Sequence, residues 1–165
     1  MIVKIIGILL IVFSCGLWGV TKSAQLEKAV SFCSITCRML NSISLMIRYN
    51  NYEIPEILHE LCKNEECSEY ISEAAVQNEK GMDFHTAWWK AVEKYVKLKP
   101  EREILLRFGN EFGLSDIDGQ IKLIEGITAE INEVKILRTD EYNKYGRVYR
   151  TVGILFGLMA GVIII

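Results

Sequence analysis

The sequence predicts an all-α protein: an antiparallel helical bundle of about six helices between N- and C-terminal transmembrane helices. Three observations predict it. Apolar residues recur at three- and four-residue intervals through the middle of the chain, and no useful length alternates with the period of a strand. Uncharged runs occupy both ends, Ile5 to Val20 and Thr151 to Ile165. All 21 acidic residues, and every basic one except Lys4, lie between those runs. With 50% hydrophobic and 24% charged residues over 165 positions, the chain is neither disordered nor membranous throughout, and has room for one soluble domain. The expected organisation is an anchor over residues 1–20, a cytoplasmic bundle over 21–147 and a membrane segment over 148–165.

The first segment, IVKIIGILLIVFSCGLWGV, has about the twenty residues a spanning helix needs, with Lys4 placed to snorkel. No A-x-A-type site follows Val20, so it reads as an uncleaved anchor and not as a signal peptide. VFSCG only distantly resembles a lipoprotein site at Cys15, the reading that would place the domain outside. After the anchor, Leu26, Val30, Cys33, Cys37, Leu40, Ile43 and Ile47 keep helical spacing, so the anchor is expected to continue into the bundle until NNYE breaks it. Pro55 suits the first turn of a short helix, with Ile57, Leu58 and Leu61 on its apolar side. A second short helix from about Cys67 to Gln77 carries Tyr70, Ile71, Ala74 and Ala75, and NEKG is a turn.

Asp83 is the expected N-cap of a helix whose stripe is Phe84, Trp88, Ala91 or Val92, and Tyr95, leaving Trp89 partly exposed. Pro100 opens the next helix, with Glu101 and Glu103 in the first turn, where the dipole favours negative charge, and Ile104, Leu105, Phe108 and Phe112 inward. The last helix points Ile117, Ile121, Ile124, Ile131 and Val134 inward and runs on through Tyr145 into the terminal segment. The uncharged end TVGILFGLMAGVIII covers roughly 22 Å as a helix against a hydrocarbon core near 30 Å. It spans if Val148 and Tyr149 sit in the interface and Arg147 and Arg150 snorkel. Lys22, Lys28, Lys144, Arg147 and Arg150 lie on the domain side against Lys4 alone outside, which puts the domain in the cytoplasm.

Glycines in LLRFGNEFGLSDIDGQIKLI mark a corner between two helices. Gly113 is the expected left-handed residue ending one helix, and Ser115 the cap of the next with Asp118 in the box position. Gly109 admits a close neighbour or relieves the backbone. The stretch lacks the preceding strand and the lysine of a phosphate loop. Gly153, Gly157 and Gly161 put a small-residue face on the terminal helix, suited to packing against another membrane helix.

No catalytic, cofactor or metal residue is assigned, and no enzyme activity is expected. His59 and His85 lack a motif partner, although His59 lies three residues before Cys62. The spacings of Cys33/Cys37 and Cys62/Cys67 are not those of a zinc site, and free thiols in a reduced compartment are expected. Between Asn51 and Asp83 there are nine acidic residues against two basic, a net of −7, whereas Thr21 to Asn50 has four basic against one acidic, a net of +3. The acidic lobe, with Glu65, Glu66 and Glu69, is either a solvated face or a docking face for a basic protein.

The chain resembles the stage III sporulation protein AB family of endospore-forming Firmicutes. The resemblance lies in FGNEFGLSDIDGQIKLI, through Gly109, Gly113, Ser115, Asp116 and Gln120, and in GMDFHTAWWKAV, through Gly81, Thr86, Ala87 and Trp88. It implies a protein of the mother-cell membrane around the forespore, facing the mother-cell cytoplasm within a channel apparatus. It also implies a soluble domain similar to platform proteins of type II secretion and type IV pilus machines. The implied partners are a secretion-type ATPase, other membrane components and lipid, with neither nucleic acid nor a small-molecule substrate. Ser115, Asp116 and Gln120 join Glu65, Glu66 and Glu69 as candidate contact residues.

Overall fold

The helix boundaries fall at local signals that can be read one by one. The computed structural model describes residues 2–50, 52–63 and 67–164, and among these every regular element is helical. α1 spans Ile2–Leu45 and continues into a π-helical turn, Met46–Asn50. α2 is Ile54–Cys62, with Pro55 in its first turn and the Glu56 carboxylate accepting from the Glu53 N–H at 3.0 Å. α3 is Glu69–Glu79. It ends in a Schellman closure: Gly81 has φ +88°, its N–H donates to Asn78 O, and the Met82 N–H donates to Gln77 O.

α4, Phe84–Tyr95, starts as expected, with the Asp83 carboxylate accepting from the Thr86 N–H at 3.1 Å. α5 is Lys99–Glu111, with Pro100 in its first turn. α6 runs Ile117–Ile164. Its N-cap corrects the sequence reading. The helix begins one residue later than Ser115 would require, and the Asp116 carboxylate accepts from the Gly119 N–H at 3.0 Å.

The chain divides into two compact units. Cys33–Val134 is the helical bundle, in which α3 packs on both α2 and α4, and α4 on α5. Its centre is Trp88, whose ring meets Tyr70 edge-on at 5.6 Å, Phe84 at 5.5 Å and Phe108 at 5.4 Å. Phe108 stacks on Phe112 at 4.8 Å, and such aromatic pairs each contribute about 0.5–1.5 kcal/mol beyond burial. From α1 the bundle takes Cys33, Cys37, Leu40 and Ile43, from the π-helical turn Ile47, and from α6 Ile121, Ile124 and Ile131, all buried as their spacing predicts. Ile127 joins them. Trp89 is 47% exposed, as its position off the stripe requires.

Two residues depart from the expected pattern. Ile117, expected inside, is 48% exposed, because it is the first residue of α6 and the helix turns into the core only from Ile121. Glu101, placed by the sequence in the first turn of α5 with no inward role, is fully buried, and the Cys33 thiol donates to its Oε1 at 3.7 Å.

The second unit consists of Met1–Phe32 and Lys135–Ile165. Here α1 and α6 run side by side and antiparallel. Trp18 meets Tyr149 edge-on at 6.2 Å, and a Cβ on Gly146 would lie 3.4 Å from the Ser23 hydroxyl. Leu17, Trp18, Val20, Val148, Leu155 and Met159 are exposed on this unit. Among the described residues, one helical stretch, Leu17–Tyr49, is long and apolar enough to cross a membrane, with a mean hydropathy of 1.4. Its apolar window is 39% buried within the protein, and its second half supplies Cys33 to Ile47 of the bundle core. A spanning helix at each end was expected, and the described residues yield this one candidate. The side chains of residues 1–13, and most of those beyond residue 152, lie outside the described set.

Candidate functional site

The LSD corner is built by glycine. Gly113 follows the end of α5 with φ +86°, a conformation that costs an L-residue with a side chain about 1–2 kcal/mol. A Cβ there would also come within 2.6 Å of the Ile54 Cδ1, so the N-terminus of α2 presses directly on the corner. On the far side of the glycine, Ser115, Asp116 and Gln120 form one unit. Asp116 caps α6, the Gln120 N–H donates to Asp116 O at 2.9 Å, and the Gln120 side-chain amide donates to Ser115 O at 3.0 Å.

Gly109 has a separate role. A Cβ on it would stand 2.1 Å from Trp88 Cδ1, so α5 accepts the indole only because this position is bare. The Trp88 indole N–H then donates to Leu105 O at 2.8 Å. One turn earlier on α4, His85 Nδ1 donates to Gly109 O at 2.7 Å. A carbonyl only accepts, so this nitrogen carries the proton, and His85 satisfies one of the open carbonyls at the end of α5. His85 is therefore a structural residue. The glycine positions of the motif serve the joint between α4 and α5 as well as the corner.

A cleft of about 600 Å³ opens beside the corner. Its walls include Ile47, Tyr52, Glu53, Ile54, Ile117 and Gln120. A recess of about 430 Å³ shares Tyr52 and Pro55 with it and continues along α2 past Glu56, His59, Glu60 and Glu79. Lys63 also lines that recess, and its ammonium lies 2.7 Å from Glu60.

Of the residues singled out by sequence, Ser115 and Asp116 are exposed beside this cleft and Gln120 lines it. Glu69 is exposed at the first position of α3 and does not line the cleft. Glu65 and Glu66 lie outside the described residues. Gly153, Gly157 and Gly161 belong to the α6 backbone, and their surroundings are likewise outside the described set. Sequence reasoning missed Glu56, Glu60 and Glu79 as a group. The acid count located the lobe, but only the packing of α2 against α3 brings the side chains of both helices to one recess.

Elsewhere on the lobe, one acid is already matched. Glu73 accepts from Gln77 at 2.9 Å and from the Tyr95 hydroxyl at 3.1 Å, and lies 3.4 Å from the Lys94 ammonium. The bonds from Gln77 and Tyr95, with a smaller part from Lys94, hold its carboxyl below the ordinary value. Cys67 donates to Cys62 at 3.6 Å, both thiols free. Burial above all pushes the Cys62 thiol up to about 12. Tyr70 is fully buried with its hydroxyl on Met39 Sδ at 3.4 Å, and burial raises its phenol well above the usual value. Among the described residues, no three His, Cys, Asp or Glu side chains are grouped to hold a metal ion.

With the corner and its glycines placed, the family can be settled. The sequence model of stage III sporulation protein AB matches residues 4–165. The chain belongs to that family. No curated protein and no solved structure matches it. Membership makes it a stage III sporulation protein, and the glycine-containing stretch that carried the resemblance is the one that forms the corner and seats Trp88.

Proposed function

We propose that this stage III sporulation protein is a non-enzymatic membrane platform. It would sit in the mother-cell membrane around the forespore, with the bundle in the mother-cell cytoplasm, and couple a secretion-type ATPase to a channel complex. The observation that carries the reading is the division of surface character between the two units. The helix pair exposes Trp18, Val20, Val148 and Leu155, with Lys22, Lys28, Lys144 and Arg147 exposed nearby, the pattern of an apolar surface with basic flanks. The bundle instead exposes acids along α2 and at the start of α3, a surface suited to a basic protein and ill suited to anionic headgroups.

A non-enzymatic role is supported by the histidines. His85 is committed to a backbone carbonyl, and His59 stands on an open acidic surface. The buried pair of Cys33 and Glu101 is sealed in the core.

Two measurements test the reading. In intact protoplasts the bundle should resist external protease and be cleaved only after lysis. Digestion from outside would reverse the orientation and remove the cytoplasmic partner. The full-length chain, purified from sporulating cells, should retain the ATPase of the same apparatus. Replacing Glu65, Glu66 and Glu69 with lysine should reduce that recovery if those acids contribute to docking.

A further inference from the structure

We infer that the cleft at the α5–α6 corner and the recess along α2 are two ends of one docking groove. Its occupant is a segment of a partner protein in which a bulky apolar side chain is flanked by lysines or arginines. This deepens the platform reading and rests on it for the existence of a protein partner.

The apolar end comes first. Ile47 and Ile57 floor the cleft, Ile54 is fixed against Gly113, and Ile117 stands half open at its edge. Leu114 beside it is 72% exposed. No packing within the bundle needs an isoleucine in the first turn of α6, where the helix has yet to reach the core. A polar residue there would start the helix as well and would not leave apolar surface open to water.

The charge follows from the other end. Past Tyr52 and Pro55 the groove is bordered by Glu56, Glu60 and Glu79, while Lys63 is held at Glu60. At the apolar end, exposed Asp116 and Asp118 flank Ile117. Arg48 leans toward Glu125 at 4.0 Å, and Lys122 is exposed further along α6. A cationic segment is attracted along the whole length, and its apolar side chain covers the isoleucines. A second copy meeting this face through a two-fold axis would set acid against acid, and an anionic lipid surface is repelled in the same way. One surface thus joins Gln120 at the corner to Glu56, Glu60 and Glu79 along α2 and α3.

The test uses the full-length chain in nanodiscs of neutral phosphatidylcholine. Three fluorescein-labelled peptides are titrated by anisotropy: leucine–lysine at helical spacing, its serine–lysine counterpart, and leucine–glutamate. The leucine–lysine peptide should bind, and Ile117→Glu should weaken it about tenfold or more, as should Glu56→Lys combined with Glu79→Lys. Glu93→Lys with Glu103→Lys, the same change of charge away from the groove, should leave binding little changed. Ile117→Glu is expected to fold, because the site is half exposed and a carboxylate suits the first helical turn; an unchanged circular dichroism spectrum checks this.

The inference is overturned if no peptide binds, if the serine–lysine peptide binds as well, or if the control pair weakens binding equally. It is also overturned if sedimentation shows a dimer that Ile117→Glu dissolves, since a second copy would then be the occupant. ATPase recovery separates this from the platform reading. Recovery that survives all groove variants removes the groove and leaves the platform. No recovery by the wild-type chain, with the peptide series as expected, removes the platform and leaves the groove.

Discussion

Gly109→Ala sets two effects of opposite sign against each other. Replacing a helical glycine with alanine ordinarily stabilises by about 1 kcal/mol, because the unfolded chain loses freedom. Here the new Cβ would lie 2.1 Å from Trp88 Cδ1 and 2.7 Å from its Nε1. Carbon atoms rest roughly 3.5–4.0 Å apart, so the indole must retreat by about 1.5 Å. Trp88 is 1% exposed and touches Tyr70, Phe84 and Phe108, so its retreat strains the centre of the bundle, at about 1–3 kcal/mol for overpacking. It also stretches the 2.8 Å bond to Leu105 O, and a buried donor left unmet costs about 1–3 kcal/mol more. The clash wins, for a net loss of about 1–5 kcal/mol. Urea unfolding of the full-length chain in detergent, followed by near-ultraviolet circular dichroism, reads the change. A midpoint equal to or above wild type would mean that Trp88 is not seated on Gly109, and the account of the α4–α5 joint would fall.

The remaining predictions concern caps, the second contact of that joint and one thiol. His85→Ala should cost about 1 kcal/mol by orphaning the Gly109 carbonyl, and nitrogen NMR of the wild-type chain should find the Nδ1–H tautomer. Asp116→Ala should cost about 1 kcal/mol in the same unfolding assay, and Asp116→Asn much less, since asparagine caps as well. The Thr86 side chain and N–H hold the Asp83 carboxyl below its ordinary 3.8. A lowered folded value means a contribution that is full above about pH 4 and lost as pH falls through the folded value, so Asp83→Asn should flatten the acid limb of the stability profile there. The Cys62 thiol, pushed up to about 12, should alkylate at pH 8 far more slowly than an exposed cysteine in the same denatured chain, as peptide mass spectrometry would report.

The parts legible in sequence were those governed by neighbours along the chain. Pro55, Pro100, Asp83 and Gly113 act within a turn of their own position, so helix starts and ends could be read directly. The stripes Leu40–Ile43–Ile47 and Ile121–Ile124–Ile131 were equally open to reading, since burial follows the helical period. What escaped depended on distant partners. Glu101 resembles any first-turn glutamate until α1 brings Cys33 against it. Gly109 was readable as the site of a close neighbour, but only α4 shows that the neighbour is Trp88. Ile117 fits the inward stripe of α6 by spacing, and only the position of the corner shows that its turn precedes the core. The groove required two such meetings, α2 with α3 and α2 with the corner. Sequence therefore supplied Ser115, Asp116 and Gln120 at the corner and an acid count for the lobe, but not the meeting of Glu56, Glu60 and Glu79.

The π-helical turn Met46–Asn50 holds one residue more than an α-helical turn would in the same rise. Such a turn is the form a helix takes when a single insertion is absorbed without being looped out. Losing one residue here should restore the regular winding and leave Ile43, in the turn before it, in the core. Relatives of this chain should thus tolerate a one-residue difference in length at this place, where a difference inside α4 would be fatal to the fold.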